Sequence, residues 1–190
     1  MGDRLSGLSS TTLARGLSVA GHPFLLVPLM IAVATRNWVF TAAIAGGMVL
    51  PLLAITLRNV RRGAWSDHDV SRRDQRLGLY RAAFPLLAVS ALLLWWSGAG
   101  QQLLRGVAAA AVMFALGAIG NRFLKISLHM MIAAYCAVVI VKLYPSSAWP
   151  IVPFVAAIAW SRRKLERHTW TEVAVGLAIG TAAAVFATVS

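Results

Sequence analysis

Residues 79–97 read LYRAAFPLLAVSALLLWWS and contain a single charge, Arg81. Residues 101–120 follow closely, read QQLLRGVAAAAVMFALGAIG and also contain one charge, Arg105. An apolar run of about 20 residues has the length that an α-helix needs to cross the hydrocarbon core of a bilayer, which is ~30 Å thick. These two runs therefore predict two consecutive membrane-spanning helices.

The same pattern extends over the rest of the chain, in five further apolar segments. They cover residues 17–35, 38–58, 127–143, 147–160 and 170–189. The first is interrupted by Pro23 and Pro28, and both it and the segment 147–160 are marginal in length for a bilayer. We therefore expect an all-α fold, a polytopic transmembrane helical bundle of six to seven helices. Residues 1–16 are expected to form a polar or amphipathic lead at the membrane interface, and residues 1–190 a single membrane-embedded domain.

The composition agrees with a membrane protein, because 59% of the residues are hydrophobic and the mean hydropathy is +0.73. In a soluble protein a net charge of +12 would suggest a nucleic-acid partner. Here the cations lie in short stretches between apolar runs, where they attract anionic lipid headgroups or phosphate, so we expect no nucleic-acid partner. The one cysteine, Cys136, excludes a disulfide within the chain and a cysteine-based metal site.

The polar stretches divide unevenly between the two faces of the membrane. If the apolar segments alternate in direction, one face holds the N-terminus and residues 59–78, 121–126 and 161–169. That face carries all six acidic residues and all the cations except Arg36, Arg105 and Lys142. The positive-inside rule places such a face in the cytoplasm.

Two short stretches on that face carry residues suited to phosphoryl chemistry. The first is KISLH, from Lys125 to His129, at the start of the predicted helix 127–143. Ser127 is a suitable N-cap, and the free backbone N–H groups of a first helical turn attract anions. We expect an anion to bind there beside His129, with Lys125 adding a positive charge.

The second stretch is SRRKLERHTWTE, residues 161–172. His168 and Glu172 are four positions apart and share one face of a helix. The carboxylate can therefore accept a hydrogen bond from one imidazole nitrogen and leave the other free as a nucleophile. Arg162 offers a planar fork that suits two phosphate oxygens.

The second stretch, Ser-Arg-x5-His-x3-Glu, resembles the third signature of the type 2 phosphatidic acid phosphatase superfamily, which usually ends in Asp. Ser127-Leu128-His129 resembles the second signature, which is usually Ser-Gly-His. Together the two signatures cover roughly the C-terminal half of the chain. Because Leu128 stands where glycine is usual, we expect the backbone to have a negative φ there.

The resemblance implies a role for each matching residue. His168 would form a phosphoenzyme, His129 would be the general acid and Glu172 would orient His168. Three further residues would belong to the phosphate cradle: Arg162, Ser127 and Leu128.

The first signature of the superfamily, Lys-x6-Arg-Pro, has its nearest counterpart at Asp69-x6-Arg76-Leu77. Asp69 stands where the lysine belongs, and Leu77 where the proline belongs. We expect Arg76 to keep the phosphate-binding role of the arginine. Lys125 or Arg73 would replace the missing lysine.

The resemblance implies a small bacterial-type lipid phosphatase of the inner membrane with no metal or other cofactor, and the positive-inside rule puts its active site on the cytoplasmic side. Its partners would be membrane lipids and a lipid phosphate substrate, and a homo-oligomer is compatible with the sequence. Polyprenyl phosphates and diphosphates, phosphatidic acid and phosphatidylglycerophosphate all remain open as substrates. So does transfer of the phosphoryl group to an acceptor other than water.

Asp67 and Asp69 support an alternative enzyme, because paired acids in a basic loop could hold Mg²⁺ against a lipid diphosphate. We favour the reading in which the acids of this loop form salt bridges with its own arginines, which are Arg72, Arg73 and Arg76. Two other classes remain, a transporter and a bundle that holds haem between two histidines. The position of the charges at the ends of the spans favours an interfacial site over transport.

Overall fold

The computed structural model describes residues 2–98 and 100–188, with side chains described from residue 10 onward. These residues form α-helices and no strands, as predicted. The helices are α1 (Gly2–Ala20), α2 (Pro23–Thr35), α3 (Trp38–Ile44), α4 (Leu50–Arg61), α5 (Arg76–Trp96), α6 (Gln101–Gly120), α7 (Leu128–Leu143), α8 (Ile151–Lys164) and α9 (Trp170–Thr188). A π-helical turn, Ala45–Val49, joins α3 to α4.

The expected number of membrane spans was too high. Among the described residues, four helical stretches are long and apolar enough to cross a membrane, and they are Trp38–Arg61, α5, α6 and α9. A fifth arises only if the residues Ser10–Ala20 of α1 and the helix α2 form one span with a 50° bend. The structure thus has four to five candidate spans, and six to seven was wrong.

The difference comes from α7 and α8, which the hydropathy pattern marked as spans. Helix α7 is apolar but has 16 residues, a length of about 24 Å. Helix α8 has 14 residues and begins at Ile151, and its last turn carries Arg162, Arg163 and Lys164. Both helices are therefore shorter than a bilayer core requires.

The first predicted span, residues 17–35, is broken at Gly21 and His22. A side chain at Gly21 would meet Ile158 at 2.7 Å, so this glycine allows the end of α1 to pack closely against α8. The side chain of His22 then caps α2 by accepting a hydrogen bond from the Phe24 N–H at 3.2 Å. Helix α1 continues to Ala20 instead of ending near residue 16, and the amphipathic character expected of residues 1–9 lies outside the described side chains.

Helix α7 lies at the centre of the bundle, in contact with α2, α8 and α9. Every residue from Leu128 to Cys136 is buried. Two glycines of α9 allow the closest approach: a Cβ at Gly176 would lie 2.7 Å from the Ser127 carbonyl oxygen, and one at Gly180 would lie 2.1 Å from that of Met131. Because neighbouring helices cover α7, its length is not set by the thickness of a bilayer.

The connections after α4, α6 and α8 meet at one end of the bundle, next to the end of α1. Two hydrogen bonds join them: the Arg76 guanidinium donates to the Ile126 carbonyl oxygen, and the ring of His168 bonds the Lys125 carbonyl oxygen. The prediction that residues 59–78, 121–126 and 161–169 share one face is therefore consistent with the packing.

Candidate active site

His168 lies in the turn between α8 and α9, and its side chain is buried. Its Nδ1 is 3.0 Å from the Lys125 carbonyl oxygen and 3.1 Å from Glu172 Oε2. A carbonyl and an ionised carboxylate only accept hydrogen bonds, so Nδ1 carries the hydrogen. In the neutral ring the lone pair then lies on Nε2, which is the form that a nucleophilic histidine needs.

Glu172 is fixed by the start of α9. The Thr169 N–H donates to Glu172 Oε2 at 3.0 Å, and the Glu172 N–H donates to Thr169 Oγ1 at 3.2 Å. This is a capping box, in which residues three apart satisfy each other's free backbone donors. Thr169 was missed in the sequence, although the Thr-x-x-Glu pattern there is its signal.

The two signature stretches are joined through the backbone. The Ser127 N–H donates to the carbonyl oxygen of Glu172 at 3.2 Å. Ser127 caps α7 as predicted, with its hydroxyl 3.5 Å from the Met130 N–H. Leu128 is absent from the residues with positive φ, which agrees with the expectation for a leucine in place of glycine.

Two arginines are almost fully buried beside His168. Arg162 is 1% exposed, and its Nη2 donates to Asp69 Oδ2 at 2.8 Å while its Nη1 donates to Ser18 Oγ at 2.5 Å. Arg162 Nε is buried and has no partner among the described residues. Ser18 was missed, because nothing in the local sequence of α1 points to a contact 144 residues away.

Arg76 is 2% exposed and donates to two backbone carbonyl oxygens, from Nε to Val70 at 3.2 Å and from Nη1 to Ile126 at 2.5 Å. Among the described residues it has no carboxylate within ion-pair distance. Buried charges are normally paired, since the loss of hydration is costly. The site therefore holds a positive charge that a bound anion would balance.

His129 is 4% exposed, and its Nε2 is buried without a hydrogen-bond partner among the described residues. That nitrogen lies 3.9 Å from Asp69 Oδ1. Its ring meets the ring of His22 edge to face, with the centroids 5.0 Å apart. The sequence reading did not include His22 in the site, because no spacing links it to either signature.

The acids of the loop between α4 and α5 are paired differently from our expectation. Asp69 forms its salt bridge with Arg162 of α8, and Asp67 pairs with Arg167 at 3.3 Å. Only Asp74 pairs within the loop, with Arg72 at 3.1 Å. The predicted pairing of Asp67 and Asp69 with the loop's own arginines was wrong, because the loop folds onto α8 and the following turn.

Asp67 also holds the shape of the loop. Its Oδ1 accepts hydrogen bonds from the Asp69 N–H at 2.9 Å and from the Ser71 hydroxyl at 2.9 Å. Burial alone would raise the pKa values of both aspartates. At Asp67 these hydrogen bonds outweigh burial, and at Asp69 the Arg162 guanidinium does, so each pKa lies below its usual value.

Of the predicted cradle residues, Arg73 lies apart from His168 and Lys125 lies near it. The exposed Arg73 donates to the Asn121 carbonyl oxygen, while Asn121 Nδ2 donates back to the Arg73 carbonyl oxygen at 2.9 Å. Arg73 therefore clamps two loops together and is not among the residues that gather around His168. Lys125 lies near His168, and burial lowers the pKa of its ammonium group.

His168 is held in its neutral form. Burial, and then the charges of Arg76, Arg162 and Lys125, lower its pKa from 6.5 to about 2. At neutral pH the ring is therefore uncharged, with its hydrogen on Nδ1, so the lone pair on Nε2 is available.

This pKa predicts a pH dependence of stability. Below about pH 6.5 the unfolded chain binds a proton at His168 and the folded chain does not. The free energy of unfolding therefore decreases as the pH is lowered from 6.5 towards the folded pKa of about 2. The slope for this group is at most about 1.4 kcal/mol per pH unit. We expect the thermal midpoint of wild type to fall more steeply between about pH 7.5 and about pH 5 than that of His168→Gln, measured by circular dichroism in detergent. His68→Gln, which removes an exposed histidine, should keep the wild-type slope, and equal slopes in wild type and His168→Gln would contradict the prediction.

A cavity of about 710 Å³ opens beside His129 and extends along the inside of the bundle. His22, Asp69 and His129 form part of its wall at one end, and Lys142 and Gln102 at the other. Apolar side chains of α2, α5, α6 and α7 line most of the space between them. From His129 to Lys142 the rise along α7 is about 20 Å, so the cavity has the length and character of a site for a hydrocarbon chain.

Comparison with protein-family models, with curated proteins and with solved structures finds no match to this chain.

Proposed function

We propose that this protein is an integral membrane lipid phosphatase that uses His168 as its nucleophile. The observation that carries the proposal is the hydrogen bonding of His168. Its Nδ1 faces two acceptors, which leaves Nε2 unprotonated, and Arg76 and Arg162 are buried nearby. A nucleophile beside buried, incompletely neutralised cations suits attack on an anionic phosphoryl group.

The reaction has two steps. His168 Nε2 attacks phosphorus, the bond from phosphorus to the ester oxygen breaks, and His129, which enters this step as the imidazolium, gives its Nε2 proton to the leaving oxygen and becomes neutral. The negative charge of the bound phosphoryl group favours that protonated form of His129. Water then attacks the phosphohistidine, His129 takes a proton from that water, and the phosphorus–nitrogen bond breaks to release phosphate. Arg76, Arg162 and Lys125 stabilise the charge on the phosphoryl oxygens in both steps.

The cavity supports a lipid as the leaving group. His129 contributes to the cavity wall, whereas His168 does not. In an in-line displacement the nucleophile and the leaving group lie on opposite sides of phosphorus. A phosphoryl group between the two histidines would therefore direct its hydrocarbon chain into the cavity.

A site on one face of the membrane favours a substrate that is made on that face. The positive-inside rule favours the cytoplasmic face of a bacterial inner membrane. The resemblance to the type 2 phosphatidic acid phosphatase superfamily rests on the two signatures, and it is supported by the hydrogen bond from the Ser127 N–H to the Glu172 carbonyl oxygen, which joins the two stretches.

The hydrogen bonds and ion pairs of Asp67 and Asp69 argue against the Mg²⁺-dependent alternative. Asp67 is bonded to Ser71 and Arg167, and Asp69 to Arg162, so the two carboxylates have separate cationic partners. Both oxygens of Asp67 already accept hydrogen bonds, so a magnesium site between the two acids would have to displace some of them.

Phosphate release from detergent-purified protein tests the proposal. The substrates are polyprenyl phosphates and diphosphates, phosphatidic acid and phosphatidylglycerophosphate, each assayed with EDTA present. We expect release to persist in EDTA and to fall by about 10²- to 10⁴-fold in His129→Ala, because a general acid contributes that much. The rates against the panel rank the substrates.

Two variants of the acidic loop separate this enzyme from the metal-dependent one. Asp69→Ala is compared with Asp74→Ala, which removes an exposed carboxylate from the same loop. Release that requires added Mg²⁺, survives His168→Ala and is lost in Asp69→Ala would move the chemistry to the loop and refute the phosphohistidine proposal.

A further inference from the structure

Three metal-ligating side chains from separate parts of the chain meet at the end of the cavity. Asp69 Oδ1 lies 3.6 Å from His22 Nε2 and 3.9 Å from His129 Nε2, and the three atoms lie within 4.8 Å of one another. Both distances are longer than a hydrogen bond. The cluster is therefore not held together by hydrogen bonds between its members.

The spacing suits a shared ion. Zinc binds imidazole nitrogen at about 2.0–2.1 Å and carboxylate oxygen at about 2.0–2.2 Å, so ligand atoms of a tetrahedral site lie roughly 3.3–3.5 Å apart. To reach that separation the two Asp69 distances, 3.6 and 3.9 Å, need a contraction of at most about 0.6 Å, and the two histidine nitrogens, which lie within 4.8 Å of each other, one of at most about 1.5 Å. His129 Nε2 is also buried and has no hydrogen-bond partner among the described residues, although the other two ligand atoms are its neighbours.

We propose that His22, Asp69 and His129 bind one Zn²⁺ ion. Two imidazoles and one carboxylate favour a transition metal over Mg²⁺, which prefers an all-oxygen shell. All three residues contribute to the cavity wall, so the fourth coordination position faces the cavity and is open to water or to a phosphate oxygen.

An outer group already orients one of the ligands. Arg162 Nη2 holds Asp69 Oδ2 at 2.8 Å, which leaves Oδ1 for the ion. Metal-ligating histidines and carboxylates usually have such partners, which fix the tautomer and the direction of the lone pair.

Binding the ion has one local cost at His22. Its Nδ1 now accepts the Phe24 N–H, and a metal on Nε2 requires the proton on Nδ1, so α2 loses this cap. A helix cap is worth far less than a three-ligand zinc site. The loss therefore lowers the affinity without preventing binding.

The nearby arginines give the site a second property. Arg76 and Arg162 repel a dication, and a phosphate anion bound to them would remove that repulsion. Zinc and phosphate are therefore expected to strengthen each other's binding by the same factor, since such coupling is reciprocal.

The ion would inhibit the phosphatase. A metal on His129 Nε2 occupies the nitrogen that delivers the proton to the leaving oxygen, so this consequence rests on the proposed function. Binding of the ion does not rest on it, because the three ligands and their spacing are independent of His168.

Zinc binding is measured on detergent-purified full-length protein after removal of metal with a chelator. Competition with a fluorescent zinc chelator gives the stoichiometry and the dissociation constant. We expect one Zn²⁺ per wild-type chain, binding weakened by at least about tenfold in His22→Ala and in His129→Ala, and wild-type binding in Asp74→Ala, which removes an exposed carboxylate from the loop that carries Asp69. Circular dichroism of each variant confirms that it is folded.

Two further readings complete the test. Inorganic phosphate should tighten zinc binding to wild type, and Co²⁺ in place of Zn²⁺ should give the visible absorption of a four-coordinate site that His22→Ala lacks. Zinc affinity that is unchanged in folded His22→Ala and His129→Ala would overturn the site. Zinc binding without phosphate release from any lipid would retain the site and refute the proposed function. Phosphate release that zinc inhibits equally in wild type and His22→Ala would overturn the inhibitory role.

Discussion

His168→Ala is expected to lose phosphate release by at least about 10³-fold and to form no covalent phosphoenzyme. The reason is that Nε2 of His168 is the unprotonated nitrogen beside the buried arginines. The measurement is incubation with a radiolabelled aryl phosphate, acid-free denaturation and counting of protein-bound phosphate. An aryl phosphate is chosen because its leaving group departs without the help of an acid.

His129→Ala is the informative companion in this experiment. The aryl group still leaves, but the variant lacks the base for the second step, so labelled protein should accumulate to a higher level than in wild type. His68→Ala, an exposed histidine on the same side of the bundle, should be labelled like wild type. Label that persists in His168→Ala would show that the nucleophile is another residue.

Gly180→Ala is expected to destabilise the protein by about 1–3 kcal/mol or more, as overpacking of a tight contact does. A Cβ at this position would lie 2.1 Å from the backbone oxygen of Met131, which cannot rotate away as a side chain could. Helices α7 and α9 must therefore separate. The measurement is the thermal midpoint of the helical signal in detergent, and at roughly 2–4 °C per kcal/mol the shift is readily detected.

Gly16→Ala is the matched control, because a Cβ at Gly16 has no neighbour within 4 Å and the residue also lies inside a helix. It should leave the midpoint unchanged or raise it slightly through better helix propensity. Equal midpoints for Gly180→Ala and Gly16→Ala would show that α7 and α9 do not pack as closely as described.

The residues of the two signatures could be predicted from the sequence because their geometry is local. His168 and Glu172 are one helical turn apart, and Ser127 precedes the first apolar turn of α7, so periodicity and capping rules apply directly. That the two stretches meet also followed, since alternating helices return their connections to the same end of a bundle.

The other contacts of the site could not be predicted, because the residues that form them are far apart in the sequence. Asp69 meets Arg162 across 93 positions, and the choice among several nearby arginines is made by how the loop folds onto α8. The number of spans was overestimated for a related reason. Hydropathy measures how apolar a segment is, and α7 is apolar because it is buried by other helices, which the length rule for a lipid-exposed helix does not consider.

The backbone bond from the Ser127 N–H to the Glu172 carbonyl oxygen, together with the bond between His168 and the Lys125 carbonyl oxygen, ties the stretch that carries His129 to the one that carries His168. The spacing of the two histidines is thus built into the pair α7 and α9. The loop that carries Asp69, in contrast, reaches this pair through side chains. Exchange of residues 62–75 for another loop is therefore expected to remove Asp69 from its contact with Arg162 while the distance between the two histidines stays the same.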